Sequence, residues 1–162
     1  MRPPLLIPVV LALGLIATGC GSSPTSAPTT SAATTSAACT KDDGPSEDTV
    51  AAEIAKLPAA QWEQSVSGHT VDCSLHWVVV GSGYASDSPA QVLFFDRKNP
   101  IGTPTPEPRP YITITPAGDD TASVQYQWRQ GQDPACCPTG VATVRFKVED
   151  GKLKALDPIP NA

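Results

Sequence analysis

From residue 75 onward, apolar side chains recur at every second position. Leu75, Trp77 and Val79 share one face of the segment 75–80, and a period of two belongs to a strand. The segment 91–95, Gln-Val-Leu-Phe-Phe, is apolar on both faces, as expected of a central strand with a helix over it. The segment 111–115, bracketed by Pro110 and Pro116, suits an edge strand. Further on, Val124, Tyr126 and Trp128 alternate with Gln125, Gln127 and Arg129, and Val144, Phe146 and Val148 alternate with Arg145 and Lys147. Each of these two segments has one dry face and one wet face. Asp150-Gly151 before the segment 152–156 is a two-residue hairpin signal. Upstream the period changes. Val50, Ile54 and Leu57 recur at helical spacing behind Glu47 and Asp48, with Pro58 as a stop, which predicts an amphipathic helix over 46–57. The segment 99–110 carries Pro104, Pro106, Pro108 and Pro110 and reads as an extended, polyproline-like loop, neither helix nor strand. The expected fold is α+β: a single domain over 39–162, with one curved antiparallel sheet of five or six strands, the N-terminal helix packed on one face, and two disulfides.

The first twenty residues follow a different pattern. Arg2 precedes an apolar stretch from Leu5 to Ala17, which has the length of a signal-peptide core and is too short to span a bilayer. The stretch ends in Ile16-Ala17-Thr18-Gly19-Cys20, which resembles a bacterial lipobox. That resemblance implies a lipoprotein signal peptide over 1–19 and a diacylglyceryl thioether on Cys20. Residues 21–38 contain only Gly, Ser, Thr, Ala and Pro, so they cannot bury a core and are expected to form a disordered tether. A flexible coil of that length reaches roughly 20 to 25 Å, enough to lift a domain clear of lipid headgroups. The chain is thus expected at the outer face of the cell membrane.

With Cys20 carrying the lipid, Cys39, Cys73, Cys136 and Cys137 remain, in an exported chain where oxidation is permitted. Joining the two adjacent cysteines would require Cα atoms about 3.8 Å apart, outside the usual bridging range of about 4.4 to 6.8 Å. The expectation is therefore that one of Cys136 and Cys137 reaches Cys39 and the other Cys73, with both arrangements open. Cys73-x-x-His76 and the adjacent pair could also supply soft ligands to zinc or copper. A strand from Leu75 points His76 away from the face of Leu75, Trp77 and Val79, however, and an oxidising envelope favours disulfides. No metal and no other cofactor is assigned.

Composition narrows the function. Eleven Lys and Arg against sixteen Asp and Glu give a net charge of −5, so the chain has no basic footprint for a nucleic-acid backbone. His69 and His76 are its histidines, and it contains no G-x-S-x-G elbow, H-E-x-x-H or phosphate-binding glycine loop. The adjacent carboxylates Asp42-Asp43, Asp119-Asp120 and Glu149-Asp150 belong to turns and tails, where they are solvated. Aromatic side chains alternating on strands belong to a core, whereas Tyr84 and Tyr111 sit beside loops. These two tyrosines are the candidate lining of a ligand groove, and no catalytic residue is assigned.

Taken together, several segments resemble the actinobacterial LppP/LprE lipoprotein family. They are the lipobox and Ser/Thr/Ala tether, Leu57-Pro58 with Trp62, Cys73 with Leu75-His76-Trp77-Val78, Val92-Leu93-Phe94-Phe95, Tyr126-Gln127-Trp128-Arg129, Cys136-Cys137-Pro138-Thr139-Gly140 and Leu156-Asp157-Pro158-Ile159-Pro160. The resemblance implies location and fold and transfers no site beyond the anchor. The expected function is a non-catalytic binding or interaction module of the envelope, whose partner is an envelope protein, the cell wall or a small molecule. The alternatives are a small envelope hydrolase using His69 or His76 with Asp72, and a carrier of a lipid or other small ligand. Because diacylglyceryl transfer needs the thiol, Cys20→Ala is expected to leave the unprocessed precursor and abolish lipid labelling. Wild-type protein recovered wholly in the aqueous phase of a detergent partition, with a free Cys20 thiol, would contradict the anchor.

Overall fold

The structure is a computed structural model that describes residues 39–161. A short 3-10 turn, Lys41–Asp43, leads into the helix α1, Glu47–Ile54. The Ser46 side chain caps α1 by accepting from the Thr49 amide at 3.2 Å. Tighter turns then carry the chain through Leu57, so the regular helix is shorter than the apolar spacing predicts. Eight strands follow: β1 (Glu63–His69), β2 (Leu75–Gly81), β3 (Ala90–Asp96), β4 (Asn99–Gly102), β5 (Ile112–Pro116), β6 (Thr121–Trp128), β7 (Gly140–Glu149) and β8 (Lys152–Ala155).

These strands form two antiparallel meanders, β1-β2-β3-β4 and β5-β6-β7-β8. The expectation of one curved sheet of five or six strands is corrected accordingly, and the reason lies in the packing. Leu75, Trp77, Val79, Val92 and Phe94 on one face of β2 and β3 are buried against Ala122, Val124, Tyr126, Val144 and Phe146 of the second sheet. On the other face, Val78, Val80, Leu93 and Phe95 pack with Val50, Ile54, Leu57 and Trp62. A sheet that is dry on both sides needs two covers, and the molecule supplies a helix and a second sheet. The result is three layers.

Two strands went unforeseen. In β1, every residue but Gly68 is exposed, and its pairing slips between Gln64 and Val66 at a bulge, so it has no hydrophobic alternation to read. Residues Asn99–Gly102 form β4 inside the stretch expected to be a loop, with Pro100 opposite Phe95 on a sheet edge, where proline is tolerated. The rest of the Pro-rich segment crosses from one sheet to the other. Gln91, fully buried, pins that crossing: its side-chain amide donates to the Thr105 carbonyl at 2.9 Å, and its side-chain carbonyl accepts from the Val92 amide at 3.0 Å. The β7–β8 hairpin turns on Asp150 and Gly151, whose φ values of 53° and 68° are the left-handed pair that such a two-residue turn requires.

The disulfide expectation is corrected as well. Cys39 pairs with Cys73 across Cα atoms 5.7 Å apart, and Cys136 pairs with its neighbour Cys137. Cys73 occupies the tip of the β1–β2 hairpin with a φ of 59°. There Thr70 and Asp72 build the turn, the Thr70 hydroxyl donating to Asp72 at 2.7 Å and the Ser74 amide donating to Asp72 at 3.0 Å. That turn presents Cys73 to the entering chain at Cys39, so the long-range partner of each is the other.

Two predictions follow from the fold. The Cys39–Cys73 bridge, with a sequence separation of 34, is expected to contribute about 3–4 kcal/mol through loop closure. The adjacent pair closes almost no loop, so Cys136→Ser with Cys137→Ser should change unfolding stability far less than Cys39→Ser with Cys73→Ser. Non-reducing peptide mapping should recover the segments around Cys39 and Cys73 joined; finding either joined to the 136–137 segment would refute this pairing. Separately, a Cβ at Gly68 would lie 2.5 Å from Cζ2 of the buried Trp77 indole. Gly68→Ala should therefore lower stability by about 1–3 kcal/mol in urea unfolding, because the buried indole or the strand must shift to admit the methyl group.

Candidate functional site

Antiparallel strands deliver their connections to two ends of the sandwich. At one end lie the 70–74 turn, with its Cys39–Cys73 bridge, and the 117–120 turn, joined by the Asp72 amide donating to the Asp119 carbonyl at 2.9 Å. At the other end, β2 and β6 finish while β3, β5 and β7 begin, which gathers the 82–89, 103–111 and 129–139 connections. The second end carries a cleft of about 320 Å³. Arg109, Tyr111, Tyr126, Trp128 and Arg129 line it, with Pro110, Gln127 and Asp87.

Each side chain is held by local geometry. Arg109 pairs with Ala90 through both backbone groups, at 2.9 and 3.0 Å, and so joins the crossing segment to the start of β3. Its guanidinium Nη1 donates to the Pro160 carbonyl at 2.7 Å, and its Cζ stands 5.6 Å from the centre of the Tyr126 ring. Tyr126, only 2% exposed, is the most deeply buried lining residue whose exposure bears on the site, and its hydroxyl has no hydrogen-bond partner among the described residues. Burial pushes this phenol up to about 12, against the opposing pull of the Arg109 charge, so it remains a proton donor at physiological pH.

The 129–139 connection forms one wall. The Asp133 carboxylate accepts from the amides of Gln130 and Thr139 and from the Thr139 hydroxyl, each at 2.8 Å. These bonds, the Gln130 amide foremost, hold its carboxyl below the ordinary range. Arg129 Nε donates to the Asp133 carbonyl at 2.8 Å. Trp128 lies close over Gly140, where a Cβ would come within 2.5 Å of the indole, so only glycine lets the ring approach the backbone there.

The two tyrosines singled out from the sequence part company. Tyr111 lines the cleft, and its hydroxyl donates to the Ala135 carbonyl at 2.6 Å, tying the crossing segment to the connection that carries Cys136 and Cys137. Ser86 reaches the same carbonyl at 3.3 Å. Tyr84 stands outside, 92% exposed, with its hydroxyl donating to Glu63 at 2.9 Å. Trp128, like Tyr126, was assigned to the core by its alternation along β6, and the two arginines were missed because a charged residue beside a loop carries no periodic signal. The Tyr-Gln-Trp-Arg run at 126–129 was legible as a motif without a role. Cys20 lies outside the described residues.

A second concavity, of about 650 Å³, lies along β1, β2 and the entering segment 39–47, and holds His69 and His76. The two histidines are register partners with ring centres 5.4 Å apart. His76, 6% exposed, lies beneath Gly44, and its Nε2 has no partner among the described residues. Burial, and next the neighbouring His69, lower its pKa below the ordinary imidazole value. Asp72, the carboxylate considered as a catalytic partner, is instead occupied by Thr70 and Ser74. His69 Nδ1 faces the Thr70 carbonyl at 3.0 Å. Among the described residues no group of three metal-ligating side chains comes together.

The model of the LppP/LprE lipoprotein family matches residues 67–151, which run from β1 to the β7–β8 turn. The chain is 49% identical over 155 residues to the lipoprotein LppP of Mycobacterium tuberculosis and to that of Mycobacterium bovis, covering 92% of this chain and 86% of each relative. No solved structure matches it. With half of its length matched by the family model and near-half identity to these relatives, the chain belongs to the LppP/LprE lipoprotein family.

Proposed function

We propose that this lipoprotein is held at the outer face of the cell membrane by a lipid on Cys20. On this proposal its domain is a non-catalytic binding module that takes a small-molecule ligand in the cleft at Arg109, Tyr111, Tyr126, Trp128 and Arg129. The observation that carries this reading is the cleft's position. The chain enters the domain beside Cys73, while the cleft opens at the far ends of the same strands. Seven strand residues at ~3.3 Å each separate the two ends by about 20 Å. A domain hung from one end thus offers its concave surface at the other.

The residues between the sheets are buried against one another in a single cluster, which favours a surface cleft over an enclosed carrier cavity. The arrangement of the histidines also supports binding over hydrolysis, because Asp72 is committed to its own turn and neither imidazole is oriented by a carboxylate hydrogen bond. The acidic balance of the chain supports a partner other than nucleic acid.

The test is a small-molecule fragment screen on the full chain in neutral detergent, read by NMR, together with ester, peptide and glycan substrates. Binding fragments are expected to move the Trp128 indole and Tyr111 signals, with no turnover. Fragments that cluster elsewhere would remove the cleft from the proposal. Turnover abolished by His69→Ala or His76→Ala would replace it with the hydrolase.

A further inference from the structure

The cleft has a charge that the chain as a whole lacks. Arg109 and Arg129 both line it, and both spend a guanidinium N–H on a backbone carbonyl, of Pro160 and Asp133 respectively. A carbonyl orients a guanidinium without neutralising it. Among the described residues, the ion pairs within 4 Å are Lys56–Glu53, Arg145–Asp157, Lys147–Glu149 and Lys154–Glu149, and neither cleft arginine is in that set. The nearby Asp133 carboxylate already accepts three hydrogen bonds from its own connection. Asp133 stays ionised and couples to the Arg129 charge but is not a lining residue, so the lining itself carries two arginines against the one exposed carboxylate of Asp87.

Resting on the proposal that this cleft is the ligand site, we infer that its ligand is a small anion, a carboxylate or a phosphate monoester, carried on a planar or apolar body. Arg109 is the fixed recognition group. Its backbone, one guanidinium nitrogen and its ring-stacked face are all held before a ligand arrives, so little side-chain freedom remains to be lost on binding. Its remaining N–H groups can meet a planar or tetrahedral oxyanion in bidentate fashion. Arg129 also lines the cleft, and the buried Tyr126 hydroxyl is a neutral donor that lacks an acceptor among the described residues. Tyr111, whose hydroxyl is already committed to Ala135, and Trp128 leave ring surface for the apolar body. A cleft of about 320 Å³ stands at the small end of the range for ligand pockets. That size suits one ring with one charged group.

The test titrates the full chain in neutral detergent with four probes of one size: phenyl phosphate, benzoate, benzamide and benzylammonium. Phenyl phosphate and benzoate are expected to move the Trp128 indole signal with affinities at least about tenfold above those of the neutral and cationic probes, and to weaken as salt is raised. Arg109→Gln and Arg129→Gln should each lower phenyl phosphate affinity by about tenfold while leaving benzamide unchanged. Arg129 is exposed, so its variant carries the test should Arg109→Gln fail to fold. Inorganic phosphate and phosphatidylglycerol bicelles, run alongside, distinguish a free anion from a lipid headgroup as the source of the charge. Equal binding of all four probes at the cleft would overturn the anion inference and leave the ligand-cleft proposal standing. If no probe of any charge perturbs Trp128 or Tyr111, both fall.

Discussion

The molecule is organised by one constraint: β2 and β3 are apolar on both faces. Val80, Val92 and Phe95 are wholly removed from solvent, and Leu93 and Phe94 nearly so. Each such side chain returned to water would cost about 1.5–3 kcal/mol, so neither face can be left open. The helix meets the need on one side with Val50, Ile54 and Leu57. On the other side a helix would leave β6 and β7 without a place for their own dry faces. A second sheet satisfies both requirements at once. The Pro-rich crossing follows from this, because the chain must leave β4 at one sheet edge and enter β5 in the facing layer.

Stacking two meanders has a further consequence for where chemistry can occur. The facing residues are buried against one another, and the two concavities lie at one end of the sandwich and along β1 and β2. The end near Cys39 is closed by a hairpin turn, a disulfide and a backbone bond to the 117–120 turn. The opposite end has the longer connections. Their contact at the Ala135 carbonyl, shared by Tyr111 and Ser86, draws the 82–89, 103–111 and 129–139 segments together. The adjacent Cys136 and Cys137 lie beside that contact. Their pairing makes this stretch locally stiff without fastening it to the rest of the fold, which leaves the carbonyl contacts and Asp133 to position the wall.

The extent to which this was legible in the sequence follows the physics of each signal. Strands with one dry face, β6 and β7, and the Asp150-Gly151 turn announce themselves through period and turn chemistry. The two dry faces of β3 were visible too, whereas β2 was read from one face, and only the helix was assigned as a cover; the second cover was the missing inference. β1 gives no period because an exposed edge strand needs none, and β4 is too short, with a proline that argues for a loop. The cysteine pairing failed for a different reason. Adjacent cysteines are poor partners in general, yet the hairpin tip places Cys73 against Cys39, and once those two have paired the neighbours have only each other. In the cleft, Tyr111 was legible as an aromatic beside a loop, whereas Arg109 and Arg129 acquire significance only when three distant connections converge.

That convergence also separates local charge from net charge. Most of the acidic groups whose environment is well defined are consumed in building the chain. Asp43 caps the Lys41–Asp43 turn through Thr40, Asp72 shapes the hairpin tip, and Asp133 holds the cleft wall. Asp157 clamps the C-terminal segment to β7 through Arg145, which holds its carboxyl down to about 2. Backbone and side-chain donors lower the pKa of Asp43 and Asp133 in the same way, so these groups stay ionised while their oxygens are engaged by their own turns. The cleft arginines have the opposite arrangement: neutral carbonyls orient them and the charge is left facing outward. A chain with a net charge of −5 can therefore present a cationic concavity at one end, because the sign of a site is set by which charges its neighbours have already satisfied.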